Sequence, residues 1–161
     1  EKEKISKIVG IGAVKYNDLS QHPSKDIIFD WGKILNLKGN SAPYLQYTFV
    51  RCHSILQKSK IEFKTLKLIP EKLNSEEINI LREIRKFPEI VQEAGEKFSP
   101  NLICNFVFDL AKSYNNFYNL YPILKERDKS VKNFRLALTK CVAQVIKNSL
   151  SLLGIKVPKK M

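Results

Sequence analysis

The sequence predicts an all-α protein: a bundle of about five helices preceded by a short mixed connecting segment. In the last third of the chain, apolar residues recur at steps of four, three, four and seven, which is the spacing of one helix face. Polar capping residues precede several apolar runs, and Gly154 and Pro158 end the last one. Antiparallel helices with short connections are the expected packing.

Residues 1–40 form the mixed segment. Residues 2–20 carry apolar side chains at helical spacing between lysines, and a turn follows around Pro23. The stretch DIIFDW at 26–31 combines β-branched and aromatic residues, which is typical of a short strand or an extended segment. NLKGN at 36–40 is predicted to be a loop.

The bundle is predicted to occupy residues 41–161. Its first helix begins near Ser41, because Asn40 or Ser41 can cap it and Pro43 is tolerated in the first turn, and it runs to about Lys58. A linker of mixed character follows, broken by a proline. The other helices are predicted at these positions: from the capping box of Asn74 and Glu77 to the residue before Pro88; 89–98; 99 to about 120; and 128 or 130 to about 153.

The composition points to a polyanionic partner. The 161 residues include 28 Lys and Arg against 16 Asp and Glu, a formal charge of +12. Such an excess attracts nucleic acid or an acidic protein, although it also serves solubility alone. With 43 % hydrophobic residues, the chain can bury a core.

Other features bear on location. Three widely spaced cysteines suit a reducing cytosol, and we expect Cys52, Cys104 and Cys141 to be buried free thiols. No apolar run approaches the ~18 residues of a membrane span. The charged N-terminal stretch does not look like a signal peptide, and the missing initial Met suggests a piece of a longer chain.

No self-contained catalytic or metal site is recognisable. Gly10 and Gly12 form a G-x-G, but Lys15 stands where a dinucleotide fingerprint needs its third glycine, so close helix packing is the better interpretation. His22 and His53 have no Cys or His partner at metal-ligand spacing.

Two helix faces combine aromatic and polar side chains. On the first predicted helix of the bundle, a core stripe of Leu45, Phe49, Cys52 and Leu56 lies beside an arc of Tyr44, Tyr47, Thr48 and Arg51. Tyrosines with an arginine can stack on and hold single-stranded RNA, or they can be half-buried against a neighbouring helix.

The second face lies within SYNNFYNLY at 113–121. Three tyrosines there share a helix face, with asparagines that could read base edges between them: Tyr114, Tyr118 and Tyr121; Asn115, Asn116 and Asn119. The alternative is an aromatic core stripe with solvated amides. Phe106, Phe108 and Phe117 are better core candidates than the tyrosines.

Four stretches together resemble the C-terminal portion of the arginyl-tRNA synthetases, which are class I synthetases. They are VGIGAVKYNDLSQHPSKDIIFDW, GNSAPYLQYTFVR, FYNLYPIL and RLALTKCVAQVIKNSLSLLGIKVPKKM. The resemblance implies that residues 1–40 are the tail of the catalytic domain and that residues 41–161 are an α-helical anticodon-binding domain. The family's HIGH-like and KMSKS-like ATP signatures are absent from these residues.

The resemblance also implies a function and site residues. The family charges tRNA(Arg) with arginine using ATP and Mg²⁺, in the cytoplasm and as a monomer, so these residues alone are expected to bind RNA without catalysis. Tyr44, Tyr47, Arg51, Tyr118 and Met161 match family positions that face the anticodon loop. Asn115 and Asn119 extend that set by helical spacing. The alternative is a helical protein–protein interaction module.

Overall fold

A computed structural model describes residues 1–60 and 70–161. Within them the chain forms six α-helices and no strand, so the predicted all-α class is confirmed. The helices are α1 (Lys2–Leu19), α2 (Trp31–Ile34), α3 (Ala42–Ser59), α4 (Ser75–Glu96), α5 (Asn101–Leu120) and α6 (Lys129–Leu152). Most of the predicted linker after α3 lies outside the described residues.

The helix boundaries follow local capping chemistry. The Ser41 side chain accepts a hydrogen bond from the Tyr44 amide at the start of α3. Asn74 and Glu77 form the predicted capping box at the start of α4, and Asp128 caps α6. Gly154 follows α6 with a φ of +66°, a left-handed conformation that favours glycine. These four predicted boundaries are confirmed.

The helix break predicted at Pro88 is wrong, because α4 runs through it. Proline removes one donor, which leaves the Ile84 carbonyl without its intrahelical partner. Packing on both sides of the proline holds the helix together. Phe87 stacks on Phe106 of α5 with ring centroids 5.7 Å apart, and Ala94 is buried in the core. The described bundle from residue 41 onward therefore has four helices.

The core lies where α3, α5 and α6 meet, with α4 packed against α5. Contrary to the sequence-based ranking, Tyr114 is as fully buried as Phe117. Its hydroxyl lies 3.1 Å from Thr139 Oγ1, so the polar tip is satisfied inside the bundle. Burial raises the pKa of the Cys52 and Cys104 thiols to about 12, which keeps them protonated and unreactive.

The apolar stripe predicted along α6 is shifted around the helix. Leu138 and Val145 are buried as expected, but Cys141 is exposed and Leu152 is 56 % exposed. Val142 faces the core instead of Cys141. It is the next residue along the chain, which corresponds to a rotation of about 100° in a helix of 3.6 residues per turn. The prediction of three buried thiols is therefore wrong for Cys141.

Helix α1 packs on the bundle through a tyrosine. Tyr16 is buried, and its hydroxyl lies 2.6 Å from Asn40 Oδ1 and 2.9 Å from the Cys104 carbonyl oxygen. Burial raises the pKa of this phenol far above its ordinary value. These contacts fasten α1 to α5 and to the loop before α3.

Close helix packing explains one of the two glycines of the G-x-G. A Cβ on Gly12 would lie 2.9 Å from Gln46 Nε2 and 3.0 Å from Ile155 Cγ2, so α1 approaches α3 and the C-terminal segment there. Gln46 Nε2 also donates to the Lys156 carbonyl at 2.8 Å, which ties these elements together. Gly10 has no such neighbour.

The strand considered at 26–31 does not form. Asp30 caps the short helix α2 by accepting hydrogen bonds from Gly32 N and Lys33 N. The preceding residues have no regular structure, and Ile28 is 85 % exposed. An isolated strand has no partner for its backbone groups and is not stable by itself.

Candidate nucleic-acid interface

The predicted aromatic and arginine face forms where α3 and α5 lie side by side. Helical spacing puts Tyr44, Tyr47 and Arg51 on successive turns of α3, and Asn115, Tyr118 and Asn119 come from the last turns of α5. Tyr47 and Tyr118 are exposed, while Tyr44 and Arg51 are half-buried. The structure thus brings together six of the seven predicted site residues.

Arg51 lies at the centre of this face, between two tyrosine rings. Its guanidinium carbon is 4.9 Å from the Tyr47 ring centroid and 4.8 Å from that of Tyr118, within cation–π range. Its Nη2 donates to the Tyr47 hydroxyl at 3.3 Å, and its Nη1 donates to Asn115 Oδ1 at 2.6 Å. Two ring contacts and two hydrogen bonds, from three residues, therefore orient the side chain.

All of these partners are electrically neutral. Among residues 1–60 and 70–161, no carboxylate forms an ion pair with Arg51. The positive charge is thus fixed in position and left uncompensated, at a half-buried site where screening is weaker than in open water. Such a group can bind a phosphate or a base edge without first giving up an internal ion pair.

Tyr44 occupies the inner side of the same face. Its ring packs against Phe108 of α5 with centroids 5.7 Å apart, and its hydroxyl accepts a hydrogen bond from Asn115 Nδ2 at 2.9 Å. Thr48, which the helical wheel placed with the tyrosines, is fully buried. It accepts from Asn115 Nδ2 at 2.9 Å, so the α5 surface covers this part of the predicted arc.

A cavity of about 580 Å³ opens beside Arg51. Its wall includes Tyr44, Tyr47, Asn115 and Asn119. The loop before α3 adds Leu37 and Lys38, which sequence reasoning did not select. The only signal for this pair was their position in a loop directly before the capped helix.

Met161 is not placed at this cavity. It is 46 % exposed, and among the described residues it does not line the cavity. Tyr118 lines a separate cavity of about 230 Å³, on the side of its ring near Ile55 and the loop after α5. Its inclusion in the face rests on the stacking contact with Arg51.

Residues 45–161 match the family of the DALR anticodon binding domain. The chain belongs to this family. The match begins just after the Ser41 cap, and it includes every predicted site residue except Tyr44. The aromatic and arginine face thus lies almost entirely within a DALR domain.

Similar proteins include arginine–tRNA ligases. The one from Parabacteroides distasonis is 39 % identical over 167 residues, and the one from Thermococcus sibiricus is 42 % identical over 168 residues. Both alignments cover 100 % of this chain, but 28 % and 26 % of the two relatives. The chain therefore spans roughly a quarter of the length of the proteins it matches.

Solved structures agree with the sequence matches. The arginyl-tRNA synthetase of Thermus thermophilus superposes with a TM-score of 0.92 at 30 % identity, over 100 % of this chain and 28 % of that one. That of Plasmodium falciparum superposes with a TM-score of 0.86 at 28 % identity, over 99 % and 28 %. The DALR domain described here has the same helical arrangement as the corresponding part of both.

Within the described residues, no helix is both long and apolar enough to cross a membrane. In that same part of the chain, no three His, Cys, Asp or Glu side chains are grouped to hold a metal ion.

Proposed function

We propose that this DALR domain binds the anticodon loop of tRNA(Arg), as part of a protein that ligates arginine to that tRNA. The observation that carries the proposal is Arg51, whose uncompensated charge is held between the rings of Tyr47 and Tyr118. Arginine with aromatic rings is suited to unpaired, splayed bases and to the phosphates between them. The similarity to arginine–tRNA ligases supports the choice of tRNA.

In this proposal the side chains have different roles. Tyr47 and Tyr118 stack on loop bases, Arg51 holds a phosphate or base edge, and Asn119 hydrogen-bonds at the cavity mouth. Tyr44 contributes the inner wall of the cavity. Met161 stays a prediction from the resemblance. ATP, Mg²⁺ and arginine would bind outside these residues, in a cytoplasmic monomer of synthetase length.

The test is filter binding of an arginine-anticodon stem-loop against a stem-loop with a scrambled loop. We expect tighter binding of the first, and Tyr118→Ala should weaken it by about 1–3 kcal/mol through lost stacking. Tyr121→Phe is the matched control, since that hydroxyl donates to Glu76 rather than facing the cavity. Equal, weak binding of both stem-loops would instead favour a protein–protein interaction module.

We also propose that residues 1–40 connect this domain to the remainder of a synthetase-length chain. Apolar side chains are exposed in one stretch of that segment: Ile27, Ile28, Phe29, Trp31 and Leu35. Exposed apolar patches of this kind commonly mark an interface. The relatives are nearly four times as long as this chain. The remainder of such a chain is therefore a candidate for the surface that covers this patch.

Trp31 reports on this interface because it is the only tryptophan of the chain and is 60 % exposed. A synthetase-length protein in which its other tryptophans are replaced should show Trp31 emission at shorter wavelength than the 161-residue chain. Identical emission from the two proteins would contradict the proposal.

A further inference from the structure

Asn115 lies inside the polar cluster, between the two helices. Its Oδ1 faces Arg51 Nη1 at 2.6 Å, and its Nδ2 lies 2.9 Å from both the Tyr44 hydroxyl and Thr48 Oγ1. A guanidinium group can only donate hydrogen bonds, so the atom that faces it must be the amide oxygen. Both hydrogens of the amide nitrogen are consequently used within the protein.

We propose that Asn115 is a positioning residue that acts on RNA through Arg51 and does not read a base with its own amide. The proposal rests on the proposed function, because it takes Arg51 to be an RNA contact. The bidentate pairing of an asparagine with adenine needs a free N–H, and Asn115 has none left.

A chain of hydrogen bonds connects Arg51 to the α3 backbone. Thr48 Oγ1 donates to the Tyr44 carbonyl at 2.9 Å and accepts from Asn115 Nδ2, while Asn115 Oδ1 accepts from Arg51. Thr48 and Asn115 each donate to one neighbour in this chain and accept from the other, so the hydrogen bonds are mutually compatible. This arrangement also explains why Thr48 is buried.

The consequence for binding is pre-organisation. A free arginine side chain samples many rotamers. Fixing one of them on association costs conformational entropy, which weakens affinity. Asn115, together with the rings of Tyr47 and Tyr118, orders the guanidinium before RNA arrives. Removing Asn115 should therefore weaken RNA binding only when Arg51 is present.

The test is a double-mutant cycle on the 161-residue chain with the arginine-anticodon stem-loop. We expect Asn115→Ala to weaken binding about tenfold, as is typical for a lost hydrogen bond to a charged group. In an Arg51→Ala background the same change should have almost no effect. An equal loss in both backgrounds would show that Asn115 contacts RNA itself and would overturn the proposal.

A second measurement needs no RNA. In ¹⁵N NMR spectra of the free protein, the Arg51 Nη resonances should be separately resolved in the wild type and averaged by rotation in Asn115→Ala. An unchanged spectrum would overturn the proposal. If the stem-loop does not bind even the wild type, the proposed function fails, while the positioning of Arg51 is still decided by this spectrum.

Thr48→Val separates positioning from general loss of packing. It removes one partner of Asn115 at nearly constant volume and leaves the Arg51 bond in place, so we expect lower stability but less than about a threefold loss of RNA affinity. A loss as large as that of Asn115→Ala would contradict the proposal. If Asn115→Ala does not fold, Asn115→Asp keeps an oxygen facing Arg51 and should keep the Nη resonances resolved; their loss would overturn the proposal.

Discussion

Arg51 and Arg135 each lie over two aromatic rings, but their charged surroundings differ. Arg51 has Tyr47 and Tyr118 as ring partners and only neutral hydrogen-bond acceptors. The guanidinium carbon of Arg135 lies 5.9 Å and 5.3 Å from two ring centroids of α5 and the residue after it, Phe117 and Tyr121. One ring of each pair comes from consecutive residues near the C-terminal end of α5, Phe117 and Tyr118, whereas Tyr47 lies on α3.

Arg135 is neutralised inside the protein. Its Nε donates to Glu77 Oε1 at 2.8 Å, and its Nη1 donates to Glu126 Oε2 at 2.7 Å and to the Pro122 carbonyl at 2.9 Å. Only 7 % of Arg135 is exposed. An arginine that is buried among carboxylates, such as Arg135, therefore has a structural role. An arginine without carboxylate partners, such as Arg51, is available to a ligand.

The largest expected effect that tests this comparison is the loss of stability on removing the Arg135 side chain. Arg135→Ala would leave Glu77, which is 2 % exposed, without its counter-charge, and we expect the free energy of unfolding to fall by about 3–5 kcal/mol. Urea denaturation measures this. Arg51→Ala is the matched control, with a smaller expected loss of about 1–2 kcal/mol, because it removes contacts to neutral groups and leaves no buried charge unpaired. Similar losses in both variants would remove the distinction between the two arginines.

The smallest expected effect concerns a carboxylate that forms no ion pair within the described part of the chain. Glu83 lies on α4, where its Oε1 accepts from Ser113 Oγ at 2.8 Å and from Asn79 Nδ2 at 3.3 Å. Its Oε2 is buried with no hydrogen-bond partner among the described residues. Burial raises the pKa of this half-buried carboxyl above its ordinary value, with Asp109 adding to the rise.

A raised folded-state pKa means that Glu83 favours the folded protein when it is protonated. Its contribution is present below the unfolded-chain pKa of about 4.3 and is lost as the pH rises through the folded-state pKa. Glu83→Gln should therefore raise the free energy of unfolding at pH 7, by less than about 1 kcal/mol because the group is half exposed. The gain should disappear near pH 4. A variant less stable than the wild type at pH 7 would contradict this.

Local rules predicted the helix starts, whereas tertiary packing decided the exceptions. The caps at Ser41 and Asn74 depend on residues within one turn, so the local sequence is sufficient to predict them. Pro88 was interpreted by the same local rule, but side chains of α5 outweigh the single lost hydrogen bond. Cys141 was misplaced because helical spacing does not specify which side of a helix its neighbours cover.

The candidate site divides in the same way. Periodicity on each helix selected Arg51 and Tyr118, but their contact joins residues 67 positions apart and could not be derived from spacing. The prediction that both helices contact the same ligand came from the resemblance to a family and not from physical chemistry. The amide of Asn115 was expected to face RNA, and only the three-dimensional arrangement shows that both its hydrogens are already used.

We propose that the orientation of Arg51, in addition to its charge, serves RNA recognition. The most direct measurement is the ratio of affinities for the arginine-anticodon stem-loop and the scrambled stem-loop in Arg51→Lys. Lysine keeps the charge but lacks the planar fork that stacks between Tyr47 and Tyr118. We predict that the ratio falls toward one while the salt dependence of binding stays unchanged. A ratio equal to that of the wild type would contradict the claim.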